Sequence, residues 1–416
     1  MNVGGITMKD IKKIQQTLER EMVDAWLFIN DAGKDPYFKK YIAPNTSVIT
    51  VAVITKKDVT VFVSGLEREL IEAHVLDANI KVFSREKGDT LNDLMVKYFE
   101  YNSELKKIAL NYSTMNDAST DILGHGFYKY YTDMLIESVN HLEEKSFLSA
   151  ENIIYALIDS KTEEEIKKLS ISAQRALEIL ENTFPHIKVG MTELQLIELV
   201  HEITEKTRDK FLEKYKGYVI EENYSWEEEC CPIVLTGKSF EKGGHALSTE
   251  TIIDYGNTVY FDFGVCLTFD NGDRFSSDIQ RTVYKLRQEE QDAPLHIKQR
   301  FEDIINSISI GIENIKIGMY GYEVDDLVRS YLLKKGYPNY DHSTGHAIGE
   351  EAHNPGTNLT PSKTGTGALK IQPNGTYTIE PRIPLENGVS IEEMVVVREN
   401  GKVDTLCNRQ TKIIMI

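Results

Sequence analysis

Three features are missing from this chain, and each absence narrows the classes of protein it can be. No apolar run reaches the roughly 18–20 residues that span a bilayer, and the opening MNVGGITMKDIKK lacks the apolar centre of a signal peptide. Positive charge is scarce, since 47 Lys and Arg face 65 Asp and Glu for a formal net charge of −18. This balance disfavours nucleic acid and anionic membranes as partners. We therefore expect a cytoplasmic protein that binds neither nucleic acid nor membrane.

Cysteine is scarce too, with four residues in 416. Cys230 and Cys231 are adjacent, which is poor disulfide geometry, and the sequence has no CxxC pair of the kind found in metal and redox motifs. We interpret all four as thiols of a reducing compartment. A length of 416 residues exceeds one comfortable core, so two domains are expected.

The N-terminal part of the chain alternates helix and strand patterns. MKDIKKIQQTLEREM predicts a helix, and DAWLFI, TSVITVAVI, KKDVTVFVS and KIALNYS are typical of strands rich in Val, Ile and Thr. Thr162 and Glu165 then form a capping box that opens a strong helix with apolar residues at helical spacing. The pattern predicts an α/β domain over residues 1–155 and a second domain over residues 156–416, with the boundary near 150–160.

The second predicted domain repeats its own order of motifs. IKVGMTE at 187–193 resembles IKIGMYG at 315–321, and GHAL at 244–247 resembles GHAI at 345–348. Thr192 and Gln195 form another capping box after the first motif. Each half then ends in two β-like runs joined by a turn. The common order, more than any single match, predicts a duplicated half-domain.

Each predicted half carries two acidic residues in a β-hairpin. The first hairpin runs from VYFDFGVCLTF through DNGD to RFSSDIQRTVYKL and is interpreted as two strands around an Asn-Gly turn. Asp262 and Asp278 lie at nearly equal distances from that turn, so their Cβ atoms are expected opposite or diagonal, about 5–8 Å apart. Glu380 and Glu392 are centred in the same way on the turn of the second hairpin.

Four acids on two matching hairpins call for positive charge. An isolated acid in a strand usually faces solvent, but YFDFG places Asp262 among aromatic residues with no cation nearby in sequence. A buried carboxylate is costly unless it is paired or bound to a metal. Carboxylates with an imidazole suit a pair of Mn, Co, Fe or Zn ions better than one structural zinc, which usually takes Cys and His.

Two histidines, His346 and His353, lie seven residues apart in STGHAIGEEAHNPG. On a helix that spacing is two turns, about 10 Å along the axis, and on a strand it places the residues on opposite faces. We therefore expect that they do not easily share a metal, and that each finds its partners elsewhere in the chain.

Taken in order, these motifs resemble a known family. GGH, DFG, SDIQRT, TGHAIG, AHNP, IEP and IEE follow one another as in the metallopeptidases of the pita-bread fold, family M24, and the match is most specific over 245–393. The N-terminal part is similar to that of the branch containing prolidase, X-Pro aminopeptidase and creatinase. The resemblance implies an α/β N-terminal domain followed by an α+β pita-bread catalytic domain with internal pseudo-twofold duplication.

The resemblance also implies a set of metal ligands. These five residues are Asp262, Asp278, His346, Glu380 and Glu392. Asp262 would hold one ion, and His346 with Glu380 would hold the other. Asp278 and Glu392 match the carboxylates that bridge the two ions.

Catalytic roles follow from the same resemblance. His245 and His353 match histidines beside the metals that stabilise an oxyanion, and Glu380 matches the ligand that carries a proton towards the leaving nitrogen. Two divalent ions, with manganese expected first and cobalt, zinc or iron as alternatives, would hold a bridging hydroxide. The implied reaction is hydrolysis of X-Pro dipeptides, or of the N-terminal X-Pro bond of short peptides, by a homodimer.

Several departures from the family pattern bear on the substrate more than on the metals. The interval of 16 residues between Asp262 and Asp278 is long, Asn354 stands where an acid is frequent, and Ser390 stands where Arg is frequent. Arg382 replaces a usual glycine. Because a guanidinium binds carboxylates in a forked geometry, Arg382 is a candidate ligand for a substrate carboxylate, with a structural salt bridge as the alternative.

Two other function classes remain open from the sequence. One is a metal-dependent hydrolase or lyase that uses the same fold for another small molecule, and the other is a catalytically inactive binding protein. The complete ligand set favours an enzyme. The changes at Asn354, Ser390 and Arg382 keep a non-peptidase reaction open.

Overall fold

The structure, a computed structural model, describes residues 8–75, 77–84, 88–115, 118–243 and 246–416. It divides the chain into two units, Met1–Leu157 and Ile158–Ile416. Among the residues described, helices that combine the length and the apolar character needed to cross a membrane are absent. All four cysteines are free thiols, and three of them are buried.

A mixed six-stranded sheet forms the centre of the first unit, in the order β4-β3-β2-β1-β5-β6. Its strands are β1 Ala25–Asn30, β2 Thr50–Thr55, β3 Val59–Ser64, β4 Asn79–Phe83, β5 Ile108–Leu110 and β6 Phe147–Ser149. Its helices are α1 Met8–Arg20, α2 Pro36–Tyr41, α3 Arg68–His74, α4 Leu91–Tyr101 and α5 His125–Ser138, and α6 Glu151–Asp159 spans the division between the units.

The helix and strand patterns of the first unit are confirmed where they are strong. The predicted first helix is α1, and the four predicted strands are β1, β2, β3 and β5. Every residue of β1 and β2 is buried, which explains their continuous apolar character. Strands β4 and β6 are not among the predicted strands. In β4 all five side chains retain some solvent exposure, and β6 has three residues.

The second unit contains two long helical pairs and two hairpins. Its helices are α7 Glu163–Thr183, α8 Glu193–Lys214, α9 Leu295–Asn314 and α10 Gly321–Lys334. Its strands are β7 Val219–Tyr224, β8 Ile233–Thr236, β9 Thr258–Phe263, β10 Val265–Phe269, β11 Arg274–Ser276, β12 Ile279–Tyr284, β13 Gly375–Ile379, β14 Arg382–Ile383, β15 Val389–Ser390, β16 Glu393–Val397, β17 Val403–Thr405 and β18 Ile414–Met415. Short 3-10 helices occur at Glu144–Ser146, Phe184–His186, Glu228–Cys230, Gly237–Lys242 and Gly365–Ala368.

Both predicted capping boxes are confirmed at helix starts. Thr162 accepts a hydrogen bond from the backbone N–H of Glu165 at the start of α7, and Thr192 accepts one from Gln195 at the start of α8. The apolar stripe predicted for α7 is buried along its length. These reciprocal bonds satisfy backbone donors that a helix start otherwise leaves without partners.

The repeated motifs occupy equivalent places in the two halves of the second unit. The N–H of Gly190 donates to the carbonyl of Ile253 at 2.9 Å, and the N–H of Gly318 donates to the carbonyl of Ile371 at 2.9 Å. Both glycines have a positive φ, 92° and 87°. One apolar core packs α7 and α8 with the first hairpin, and a second packs α9 and α10 with the second hairpin. The predicted duplication is therefore confirmed.

The first hairpin differs from the prediction of two continuous strands. Its base, β9 with β12, belongs to a four-stranded sheet, whereas its tip, β10 with β11, belongs to a three-stranded sheet with β7. Each arm breaks where the two sheets meet, and the backbones approach closely there, since a Cβ on Gly264 would lie 1.9 Å from the carbonyl oxygen of Ser277. The register is the same on both sides of the break and pairs Asp262 with Gln280. Asp278 is therefore diagonal to Asp262, one of the two arrangements predicted.

The second hairpin has the same division and a different register. Its base is β13 with β16 and its tip is β14 with β15. The pairs Ile379–Glu393 and Arg382–Ser390 share one register. That register sets Glu380 directly opposite Glu392, at the break between base and tip.

Candidate metal centre

The four predicted carboxylates and His346 meet where the two hairpins break. The hairpins are joined there by the backbone, since the N–H of Glu392 donates to the carbonyl of Gln280 at 3.1 Å. The loop that carries His346 runs along β13 and accepts a hydrogen bond from the N–H of Thr378 at 2.9 Å. Each of the five side chains is thus positioned by backbone pairing.

His346 lies at the centre of the acidic cluster. Its Nε2 is 3.7 Å from Oδ2 of Asp278, 3.7 Å from Oε1 of Glu380 and 3.8 Å from Oε1 of Glu392. Its Nδ1 is 3.1 Å from the carbonyl oxygen of Ala347, which can only accept. Nδ1 therefore carries the proton in the neutral ring, and the lone pair of Nε2 faces the carboxylates, as in a metal-ligating histidine.

Three groups of three residues could each hold a metal ion, because the ligand atoms within each group all lie within 4.8 Å of one another. They are Asp262 with Asp278 and Glu392; His346 with Glu380 and Glu392; and Asp278 with His346 and His353. The five residues predicted as ligands are all contained in the first two groups, and Glu392 belongs to both.

The donor set fits divalent cations. All five predicted ligands are buried, and Oδ1 of Asp278 and both carboxylate oxygens of Glu392 have no hydrogen-bond partner within the described part of the chain. Burial and repulsion from neighbouring carboxylates raise the pKa of Asp278, Glu380 and Glu392 well above their usual range. Without added positive charge this cluster must bind protons, and a bound cation removes that need.

His353 lies beside His346, so the separation expected from helix or strand spacing is wrong, while the expectation that the two do not share a metal stays a prediction. The two ring centroids are 4.4 Å apart with an interplanar angle of 78°. Residues 344–356 form a loop instead of a helix or strand, and the N–H of Asn354 turns it back by donating to the carbonyl of Ala347 at 3.1 Å. His353 is exposed and touches the edge of the cluster. His245 lies outside the described residues.

Two further residues contact the ligands and were absent from the sequence-based site. The hydroxyl of Tyr260 donates to Oδ2 of Asp262 at 2.9 Å, and Nε2 of Gln280 donates to Oε2 of Glu380 at 2.8 Å. Each lies two residues from an acid in the printed sequence, Tyr260 before Asp262 and Gln280 after Asp278. Residues two apart on a strand share a face, so this spacing is the signal that could have identified them.

Arg382 is buried beside the cluster. Its guanidinium lies 3.7 Å from the ring centroid of Phe240 and 5.2 Å from that of Tyr260, and its Nη2 donates to the carbonyl of Phe240. Its Nε and Nη1 have no hydrogen-bond partner among the residues described. Burial lowers the pKa of Arg382 from its usual value. Arg382, which is predicted to bind a substrate carboxylate, therefore retains two donor nitrogens without partners among the described residues.

A cavity of about 710 Å³ lies near the loop that leads to His346. Its lining residues include Lys242, Tyr340, Asp341, His342 and Ser343. The hydroxyls of Tyr340 and Thr344 are 2.6 Å apart, and the carbonyl of Thr344 accepts a hydrogen bond from the N–H of Glu380. The cavity wall is thus connected to the metal-ligand cluster by two hydrogen bonds.

Comparison with known proteins places the chain in a family. The model of metallopeptidase family M24 matches residues 167–399, so the chain belongs to that family. It is 34% identical over 161 residues to the uncharacterized peptidase YqhT of Bacillus subtilis (strain 168), a match that covers 38% of this chain and 41% of that relative. Membership of the family implies divalent metal ions.

Solved structures of similar fold cover nearly the whole chain. An Xaa-Pro dipeptidase from Bacillus anthracis superposes with a TM-score of 0.57 at 23% identity, over 98% of this chain and 99% of that one. An X-Pro aminopeptidase from Thermotoga maritima MSB8 gives 0.55 at 20% identity, over 96% and 100%. The predicted fold, an N-terminal domain followed by a pita-bread catalytic domain, is therefore confirmed.

Proposed function

We propose that this metallopeptidase uses two divalent ions to hydrolyse X-Pro dipeptides, or the N-terminal X-Pro bond of short peptides. The observation that carries the proposal is the convergence of Asp262, Asp278, His346, Glu380 and Glu392 from both hairpins into overlapping ligand groups. Five donors, four of them carboxylates, exceed the needs of a single ion with open positions. Oxygen donors with one imidazole nitrogen favour manganese, with cobalt, zinc and iron as alternatives.

The ligand groups support an assignment of different residues to the two ions. Asp262 belongs to one group, and His346 with Glu380 belongs to another that overlaps it at Glu392. Asp278 appears with ligands of both. When bound, two such ions lower the pKa of water and polarise a peptide carbonyl.

Residues beside the cluster complete the proposed chemistry. His353 contacts His346 and is exposed, so its N–H can donate to a substrate carbonyl oxygen as that oxygen gains negative charge. His245 is proposed for the same task. Glu380 has one oxygen near His346 and is proposed to carry a proton to the leaving nitrogen.

The cavity near Ser343 is proposed to hold the peptide. A volume of about 710 Å³ falls within the range of ligand pockets and exceeds the needs of a metal-bound water.

Substrate preference can be tested on purified protein loaded separately with Mn, Co, Fe or Zn and given X-Pro dipeptides, longer X-Pro peptides and dipeptides without proline. Cleavage confined to dipeptides would assign a dipeptidase, and cleavage of longer peptides would assign an aminopeptidase. Two bound ions without cleavage of any peptide would overturn the proposal and favour a different hydrolase or a lyase. Sedimentation of the same preparation tests the proposed homodimer.

Arg382 gives a sharper test of the substrate class. Its two donor nitrogens without partners among the described residues, Nε and Nη1, support binding of the substrate C-terminal carboxylate. We expect Arg382→Lys, which keeps the charge and loses the fork, to raise KM for an X-Pro dipeptide at least tenfold, since a charged hydrogen bond contributes roughly 1.5–3 kcal/mol. The control is the same dipeptide with a C-terminal amide, for which KM should change little. Equal effects on acid and amide would assign Arg382 a structural role.

A further inference from the structure

Gln280 connects a predicted metal ligand of each hairpin. It is 4% exposed and lies directly opposite Asp262 in the β9–β12 pair. Its Nε2 donates to Oε2 of Glu380 at 2.8 Å and lies 3.3 Å from Oδ2 of Asp262. One uncharged amide therefore contacts carboxylates that come from different halves of the duplicated unit.

Ser390 fixes the direction in which this amide points. The hydroxyl of Ser390 donates to Oε1 of Gln280 at 2.7 Å, and Ser390 is fully buried. The carboxylate oxygens on the other side of Gln280 can only accept while they are ionised. A reversed amide would set its oxygen against both carboxylates, and Ser390 would have to turn its hydroxyl hydrogen to the carbonyl of Pro381, 3.3 Å away, to accept from the NH₂. The hydrogen bonds on both sides thus favour the same orientation.

The contacts also identify which oxygen of each carboxylate accepts the hydrogen bonds. Gln280 occupies Oε2 of Glu380, while Oε1 of Glu380 is the oxygen near Nε2 of His346. Oδ2 of Asp262 receives both the hydroxyl of Tyr260 and the amide of Gln280. In each acid Gln280 thus contacts one named oxygen, Oδ2 of Asp262 and Oε2 of Glu380.

We infer that Gln280, oriented by Ser390, is a positioning residue for the metal pair that holds the carboxylates of Asp262 and Glu380 in place for the ions. The inference rests on the proposed two-metal function and deepens it. Because Asp262 and Glu380 belong to different ligand groups, loss of the amide should weaken both sites together. A residue that merely filled space would affect stability without changing two metal affinities.

The experiment measures metal binding independently of peptide cleavage. Metal-free protein is titrated with Mn²⁺ by isothermal calorimetry for wild type, Gln280→Met and Ser390→Ala. We expect Gln280→Met, which keeps the length of the side chain, to weaken both Mn²⁺ sites by about 10–100-fold, the usual effect of losing a partner of a metal ligand. Ser390→Ala leaves the amide present but free to turn, so it should weaken both sites by less.

Gln410 provides a matched control. It is also a buried glutamine bound to β12, with its Nε2 donating to the carbonyl of Thr282 at 2.6 Å and its Oε1 accepting from the N–H of the same residue at 3.1 Å. These contacts are all with backbone, so Gln410→Met should leave both Mn²⁺ affinities unchanged.

The outcomes separate this inference from the proposed function. Wild type that binds two ions, with Gln280→Met equally tight at both sites, overturns the inference and leaves the proposed function standing. Wild type that binds no Mn²⁺ overturns both. If Gln280→Met does not fold, Ser390→Ala decides the matter, since unchanged affinity in that variant contradicts the orienting role. Weakening by Gln410→Met to the same extent would also overturn the inference.

Discussion

The two halves of the second unit reach one metal-ligand cluster by different routes. The first hairpin contributes two aspartates set diagonally, and the second contributes two glutamates set directly opposite each other. The second half also provides His346, from a loop paired with its own hairpin. A duplicated fold therefore preserves where the ligands meet without preserving residue type or register. The difference in side-chain length accompanies the difference in register.

The buried carboxylates that hold loops of the two halves also differ in how completely their oxygens are hydrogen-bonded. Glu193 in the first half accepts backbone bonds from Thr236 at 2.9 Å on one oxygen and from Thr249 at 2.7 Å on the other. Asp159 accepts two bonds from Thr357, just beyond the His353 loop, on one oxygen. Its other oxygen is buried with no partner in the described part of the chain. The loop of the second half is thus held by a carboxylate from α6, and only one oxygen of that carboxylate has partners in the described part of the chain.

The largest expected effect concerns the two carboxylates proposed to bridge the ions, one from each half. Asp278→Asn and Glu392→Gln should each lower kcat/KM by more than about 100-fold, since loss of a ligand costs more than loss of a ligand's partner. In metal-free protein the same variants should unfold at a higher temperature than wild type, because one repelling charge is removed. Unequal losses from the two variants would break the equivalence of the halves.

Exposed acids at the hairpin tips are the matched controls for this experiment. Asp270 and Glu386 occupy the turns of the same two hairpins and face solvent. Asp270→Asn and Glu386→Gln should leave activity and metal-free unfolding temperature unchanged. A metal-free Asp278→Asn protein less stable than wild type would contradict repulsion within the cluster.

A smaller effect is expected from Asp159, and it depends on pH. Burial raises the pKa of Asp159 to about 6. Its unfolded pKa is about 3.9, so the folded state binds the extra proton and stability falls as pH rises from about 4 to about 6. Asp159→Asn lacks this titration. The free energy of unfolding of the variant minus that of wild type should therefore increase by about 2 kcal/mol between pH 4 and pH 7.

Asp303 should give the opposite sign. Burial alone would raise its pKa, but hydrogen bonds from Tyr337 and Lys335 lower the pKa below its usual value. Its stabilising contribution is present above the unfolded pKa and is lost as pH falls through the folded pKa.

The sequence has two tryptophans, one in each unit, so Trp226 fluorescence in a Trp26→Phe background can follow urea unfolding of the second unit. A pH-independent difference for Asp159→Asn would contradict the buried-charge explanation.

The smallest effect compares the equivalent starts of α8 and α10. Thr192 accepts from the N–H of Gln195, whereas at Tyr320 the backbone N–H donates to Glu323 and the phenol offers no oxygen at the cap. Thr192→Ala should lower the free energy of unfolding by about 1 kcal/mol. Tyr320→Phe should change it by less than about 0.5 kcal/mol, measured in the same Trp26→Phe background. Equal losses would mean that the cap hydroxyl is not the cause.

Local patterns in the sequence predicted the parts of the site that local physics controls. Hairpin turns and the symmetry of the acids about them located Asp262 near Asp278 and Glu380 near Glu392, and capping boxes located helix starts. The family resemblance, and not a local pattern, assigned both pairs to one site. The contact between His346 and His353 was missed because spacing rules describe helices and strands, and these residues lie in a loop. Whether the structure's cluster binds metal stays a prediction.

Other misses depend on contacts between distant segments. At the break of the first hairpin Gly264 closely approaches Ser277 across the pair, a contact that no periodicity reveals. The link from Gln280 to Glu380 joins residues 100 positions apart. In β4, partial exposure of every side chain removes the alternation that predicts a strand.

The order of the ligands along the chain has a consequence for synthesis. A nascent chain that has reached residue 330 contains both aspartates of the first hairpin and lacks His346, Glu380 and Glu392. Strand β12, which carries Gln280, gains its parallel neighbour β18 only after residues 414 and 415 have been made. The halves can begin to fold in order of synthesis, but the full ligand set exists only after the second hairpin is made. Binding of metal by all five proposed ligands would therefore require that both halves have been translated and joined.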